Sequence, residues 1–304
     1  MKGHLMLMLA IVLAAAPAAA QGTGWDRLFP RVQYFDLVIA DPHEPRLSLA
    51  MVQSNVFERA GEARELRPEF AFPDPEDAAS DVQVMVGVGG TVPLWHLAEW
   101  KGRGGIVASA HFGVFSRFRI EYPTREDTGQ DWFIGMPIEL AYNKFSGRFR
   151  IMHRSSHLGD ELTQITGAQR IEFGGEYADF LAAYQVVDHA RLYAGATWNF
   201  RSYNDRLPAL ILRDRRDTGQ LQAGFDARAF PWSEGRVGLI GGLDWQSQQR
   251  TNWRSQFGAT GGLAIKTQRR SSSLVARYFH GPSIMGEFFL TPETFWSLEW
   301  VVEL

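Results

Sequence analysis

Cysteine is absent from the 304 residues, which excludes disulfides, thiolate metal centres and cysteine nucleophiles. Beyond the first twenty residues there is no apolar run approaching the roughly 20 residues that a membrane-spanning helix needs, so helical spans are excluded. An excess of one charge is missing as well. Lys and Arg number 31 against 34 Asp and Glu, a formal net charge of −3, and a chain so balanced carries no electrostatic footprint for nucleic acid. Internal repeats and low-complexity tracts are also lacking.

What is present begins with a leader. Residues 1–20 combine a basic start at Lys2, an apolar stretch from Leu5 to Ala16 and the small residues Ala18, Ala19 and Ala20 before Gln21; together these read as a cleaved secretory signal peptide. An exported chain without disulfides has to rely on a closed sheet or a sizeable core. The next stretch, 21–45, is rich in Pro and Asp (WDRLFPRVQYFDLVIADPHEP from Trp25 to Pro45) and is expected as an extended periplasmic lead-in.

From Arg46 the pattern becomes period-2 alternation. Trp132, Ile134, Met136, Ile138, Leu140 and Tyr142 share one parity, against Asp131, Gly135 and Glu139 on the other. Leu192 to Phe200, Leu221 to Ala227, Val237 to Trp245 and Trp296 to Leu304 repeat it. Segments of about 10 residues whose polar face mixes Arg, Asp, Glu and Gln with Gly suit strands between lipid and a wet lumen better than a soluble sandwich. Approximate strands fall at 46–57, 82–98, 104–121, 131–143, 147–157, 169–184, 190–203, 217–230, 236–248, 254–267, 272–281 and 287–304. The connections between them alternate long or medium with short, as in outer-membrane barrels. The expectation is an all-β fold: a single antiparallel transmembrane β-barrel of about twelve strands over 46–304, in the bacterial outer membrane. Its partners would be membrane lipid, lipopolysaccharide and, during biogenesis, the barrel-insertion machinery. The final strand keeps its alternation through Trp300, Val302 and Leu304, although Leu304 departs from the terminal aromatic such strands commonly carry.

Chemistry concentrates in the stretch Gly147 to Arg170. His153, Ser155 and His157 would share a face of the fifth strand, an imidazole beside a hydroxyl as a base-activated nucleophile requires. Ser156, Asp160 and Glu161 complete the candidate corner, with either carboxylate placed to orient a histidine. No G-x-S-x-G elbow accompanies it. The same polar corner also suits a turn capped by Ser and Asp side chains. A divalent ion on His157, Asp160 and Glu161 is chemically allowed, but the spacing matches no strong metal motif, and no cofactor is implied. A second constellation is charged: Arg148, Arg150 and Arg154, with Arg117, Arg119 and Arg191 on neighbouring strands, facing Glu121, Glu139, Glu172 and Glu176. It would line either an anion-attracting constriction or a lumen filled by a charge network.

The segments LFP near the mature start, ADPHEPRLS at Ala40 to Ser48 and HRSSHLGDE at His153 to Glu161 resemble the bacterial outer-membrane proteins grouped as domain of unknown function 1207. That resemblance implies an exported barrel of Gram-negative envelopes and transfers no catalytic residue. Two functions stay open on the residues: a structural barrel or narrow pore with a charge-networked lumen, and an outer-leaflet hydrolase of lipid or lipopolysaccharide using the His153 to Glu161 corner.

Overall fold

A computed structural model of the chain describes residues 27–56, 82–120, 127–166, 173–202, 219–267 and 270–303. The expected signal peptide, the start of the lead-in and most of the long connection after the first strand lie outside the described residues. The rest is almost all sheet. The strands are β1 (Leu47–Ser54), β2 (Val82–Glu99), β3 (Gly104–Arg119), β4 (Asp127–Tyr142), β5 (Phe145–Leu158), β6 (Gly174–Val187), β7 (Ala190–Ser202), β8 (Gly219–Trp232), β9 (Val237–Gln248), β10 (Ser255–Lys266), β11 (Ser271–Pro282) and β12 (Pro292–Glu303). Each pairs antiparallel with its neighbours in sequence, and β1 pairs with β12 from Leu47 opposite Val302 to Ser54 opposite Phe295, which closes a twelve-stranded barrel. Closure satisfies the backbone of every strand and leaves no edge for lipid or another chain to meet.

The alternation decides which way each strand faces. Along β4, Trp132, Ile134 and Met136 stand on the outside, while Asp131 and Glu139 are fully buried inside. Leu239 and Leu243 against Asp244 on β9, and Leu298 and Trp300 against Glu299 on β12, follow the same rule. The outcome inverts a soluble protein: an apolar belt covers the exterior and charges fill the interior, a surface that only a hydrocarbon solvent matches. Short turns close one end. The β2–β3 turn needs glycine at Gly104, where φ is +127° and a Cβ would sit 2.2 Å from the Ala141 carbonyl oxygen.

The lead-in departs from expectation. It does not hang below the barrel as an extended periplasmic segment; its described part runs inside the lumen. Phe35, Val38 and Ala40 have no exposed surface and Glu44 and Arg46 almost none. Lumen side chains hold its backbone: Arg191 donates to the carbonyls of Asp36 (2.8 Å) and Leu37 (3.0 Å), Arg228 also to Leu37 (3.0 Å), and Arg277 to Ile39 (3.2 Å) and Ala40 (2.7 Å). Asp226 accepts from the Ile39 N–H at 3.1 Å. The physical reason is mutual: an irregular backbone full of unpaired polar groups and a lumen full of cations each satisfy the other.

Two further differences lie at the opposite rim. The fifth connection, read as a loop, contains a helix, α1 (Asp160–Thr166), opened by two acidic residues that favour its N-terminus. The twelfth strand starts five residues later than its expected 287, because 283–291 folds inward around a 3-10 turn at Gly286–Phe288. There Ile284, Met285 and Phe288 join Leu158, Leu162, Phe279 and Phe295 in an apolar cluster that roofs part of the lumen.

Candidate functional site

β5 carries two faces, and the expected corner is divided between them. Arg148, Arg150, Arg154 and Ser156 point inward. His153, Ser155 and His157 have the opposite parity and face outward. Ser156 is buried, and its Oγ accepts the Glu287 N–H of the inward-folded segment at 3.1 Å. It is therefore a structural serine, positioned away from both histidines.

On the outer face the register of β5 and β6 places Glu176 directly opposite His153. Glu176 was expected in the lumen network, but even-numbered positions of β6 face outward, and its Oε1 lies 3.1 Å from His153 Nδ1. The two side chains are 41% and 28% exposed, so the pair can be reached from outside the barrel. Ser155 follows His153 on the same face, two strand rises of about 3.3 Å further on. Its cross-strand neighbours are Gly174 on β6 and Trp132 on β4. Gly174 sets no side chain opposite the serine, and Ser155 is partly exposed. Trp132 and Ile134, both well exposed, supply apolar surface on the β4 side. Carboxylate, imidazole and hydroxyl thus form one row on the exterior near the rim of the longer connections. His157 continues that face, opposite Gln130. Asp160 and Glu161, expected to orient a histidine, lie past Gly159 in the first turn of α1, both exposed. The histidine-binding carboxylate comes from the adjacent strand instead.

The lumen holds the other constellation. Arg117 pairs with Glu293 at 2.5 Å, Arg150 with Asp179 at 2.7 Å and Arg191 with Asp226 at 2.7 Å. Arg148 binds Glu44 of the lead-in, and Arg46 and Arg277 share Glu299 at 3.2 and 3.0 Å. Glu139 accepts the N–H groups of Tyr34 (2.9 Å) and Phe35 (3.3 Å). Arg119 is fully buried. Glu121 and Glu172 lie outside the described residues. Most carboxylate partners, among them Glu44, Asp179, Asp226, Glu293 and Glu299, escaped sequence reasoning. The inward parity of Asp179 and Asp226 was readable, but the pairing across twelve strands and from the lead-in was not. Burial opposes ionisation of Glu44, yet Arg148 and then Arg150 outweigh it and hold the carboxyl down to about 2. Among the described residues no group of three or more His, Asp or Glu could hold a metal ion.

The family model described as "Protein of unknown function (DUF1207)" matches residues 76–297. The chain belongs to this family. Among solved structures the DUF1207 chain resembles the outer membrane phospholipase A of Escherichia coli, with a TM-score of 0.54 and 12% identity over 93% of this chain and 98% of that one. The Salmonella typhi outer membrane phospholipase, solved as a dimer with bound calcium, matches equally, with a TM-score of 0.54 and 12% identity over the same shares of the two chains. At such identity the likeness concerns the fold, which is that of outer-membrane barrels. No curated protein sequence matches the chain.

Proposed function

We propose that this barrel resides in the outer membrane and is a serine hydrolase acting on acyl esters of outer-leaflet lipid, with Ser155 as nucleophile, His153 as base and Glu176 orienting the histidine. The observation that carries this reading is the Glu176–His153 pair beside Ser155 on the exterior. A carboxylate on Nδ1 fixes the tautomer that leaves Nε2 as acceptor for a hydroxyl proton, and it stabilises the imidazolium formed when that proton moves. Ser155 Oγ would add to the ester carbonyl carbon while its proton passes to His153 Nε2. The same proton then leaves with the alcohol. Water would next attack the acyl-serine, giving up a proton to His153, which passes it to Ser155 Oγ as the carbon–oxygen bond breaks and the fatty acid leaves.

Position supports the substrate class. The row faces the apolar exterior, close to the rim where ester groups of the outer leaflet would lie, and Trp132 and Ile134 offer acyl chains a surface beside the serine. The neighbours of like fold include phospholipases, so the architecture accommodates lipid hydrolysis. The competing pore reading is opposed by the lead-in, whose residues occupy the lumen on a ladder of buried ion pairs. The test is labelling of detergent-purified protein by a fluorophosphonate, with fatty-acid release from phosphatidylethanolamine and from lipopolysaccharide. Wild type and Ser156→Ala should label and release fatty acid; Ser155→Ala and His153→Ala should fold and do neither. A wild type that neither labels nor releases fatty acid leaves the structural role as the answer.

A further inference from the structure

Carboxylates inside the barrel are matched to arginines almost throughout. Glu44, Asp131, Asp179, Asp226, Glu293 and Glu299 each meet a guanidinium, and Glu139 is held by backbone N–H groups of the lead-in. Asp41 of the lead-in and Asp244 of β9 break the pattern. Both are buried, and among the described residues only neutral donors reach their carboxylates. Asp41 accepts from the His43 backbone N–H at 2.9 Å and from Gln222 Nε2 at 3.1 Å. Asp244 accepts from the same Gln222 Nε2 at 2.9 Å, from Tyr193 Oη at 2.8 Å and from Gln246 Nε2 at 2.7 Å. Arg46, the cation beside Asp41, donates to its backbone carbonyl at 3.0 Å and not to its carboxylate. Two buried carboxylates joined through one amide nitrogen thus carry charge that neutral hydrogen bonds do not cancel.

Beside this pair lies a cavity of about 70 Å³, lined by Asp41 and by Gln220, Gln222, Gln246 and Gln256. It is less than half the roughly 150 Å³ that admits a benzene, so it takes a few waters or an ion that keeps part of its hydration. Gln256 is only 5% exposed. Its Nε2 donates to Gln246 Oε1 at 3.1 Å, while its own Oε1 accepts nothing among the described residues although it can accept two bonds. The Oε1 of Gln222 likewise accepts nothing there. Unpartnered amide oxygens beside two uncompensated carboxylates suit a cation.

The protein's own cations do not fill the role. Arg150 and Arg154 line the same cavity but are committed to Asp179 at 2.7 Å and to Asp131 at 2.9 Å. Its histidines are turned elsewhere, His43 Nε2 towards Asp131 at 3.4 Å and His111 between Thr91 at 2.9 Å and Arg150 at 3.0 Å. The donors left are oxygens, which select a hard metal ion, and two carboxylates balance a charge of two. Calcium accepts carboxylates, amide carbonyls and water together in a shell of about six to eight oxygens. Two carboxylates suffice because the glutamines supply further protein oxygens.

We propose that Asp41 and Asp244, with the amide oxygens of Gln222 and Gln256, form a calcium site that clips the lead-in to the β9 wall, independent of the outer-face serine. Gln222, whose Nε2 bridges the two carboxylates, presents Oε1 to the ion by a half-turn of its amide. The test uses the full protein in non-ionic detergent, refolded in chelator and then freed of it. Calcium chloride is titrated calorimetrically in a sodium chloride buffer, and thermal unfolding is followed with calcium and with chelator. Wild type should bind calcium saturably at a single site and unfold at a higher temperature with it. Asp41→Asn and Asp244→Asn should each weaken binding by about tenfold or more, since each removes a charged ligand. In chelator they should unfold no lower than wild type, so that their loss of stability appears only with calcium. Gln256→Leu keeps both carboxylates and should weaken binding too; it decides if a carboxylate variant fails to fold. Asp160→Asn combined with Glu161→Gln, on the exposed first turn of α1, should bind as wild type does. The proposal is overturned if wild type binds no calcium, if none of the lumen variants weakens binding, if the carboxylate variants lose the same stability with calcium and without it, or if the α1 variant abolishes binding.

Discussion

Replacing Glu44 by Gln removes one charge from the inside of the barrel and leaves two arginines facing an amide. In the native lumen the Glu44 carboxylate binds both terminal nitrogens of Arg148 and lies 3.9 Å from Arg150, with about 1% of its side chain exposed. A carboxyl brought from the ordinary 4.5 down to about 2 contributes about 3 kcal/mol to folding at neutral pH. That agrees with the roughly 3–5 kcal/mol lost when one member of a buried pair is removed. The pH dependence has a definite sign. Because the folded pKa is depressed, the contribution is fully present above the unfolded value near 4.5 and is lost as pH falls through about 2. Denaturant unfolding of wild type and Glu44→Gln in micelles, repeated from pH 7 to pH 2, reads this directly. The other carboxylates titrate in both proteins and cancel in the difference. The gap should be about 3 kcal/mol at pH 7 and shrink between pH 4.5 and 2. Hydrogen exchange should quicken at Tyr34, Phe35 and Ile39, whose N–H groups donate to Glu139 and Asp226. Equal stability at pH 7, or a gap that ignores pH, would refute the view that this pair holds the lead-in in place.

Glu176→Ala should lower fatty-acid release by about 100-fold or more, since the imidazole loses its orienting carboxylate, while the unfolding midpoint stays within error because the pair is substantially exposed. Ser156→Ala should do the reverse, leaving release intact but costing about 1–3 kcal/mol in the same denaturant assay, because the buried Glu287 N–H loses its acceptor. Gly159→Ala should destabilise the rim between β5 and α1, since a Cβ there would lie 1.7 Å from the Asp127 carbonyl oxygen; a loss of about 1–3 kcal/mol and faster exchange at Thr163, which donates to the Gly159 carbonyl, are the readouts.

Much of the barrel was determined by the sequence alone, because a strand's facing depends only on parity. Trp132 and Ile134 outward, Asp131 and Glu139 inward, follow from period 2 without knowledge of any neighbour. The same rule put His153 and Ser155 on one face and Arg148, Arg150 and Arg154 on the other. Parity also set Glu176 outward, although its charge suggested the lumen; which residue it would meet there depended on register. Register is a relation between strands, and only tertiary structure decided that Glu176 stands opposite His153 while Asp160 and Glu161 turn away into a helix. The lead-in was least legible. Nothing local in FDLVIADPHEP says whether it hangs in solvent or threads a lumen, because its backbone carbonyls carry no sequence code. The choice was made by Arg191, Arg228 and Arg277, whose cations are gathered around those carbonyls only when the sheet closes.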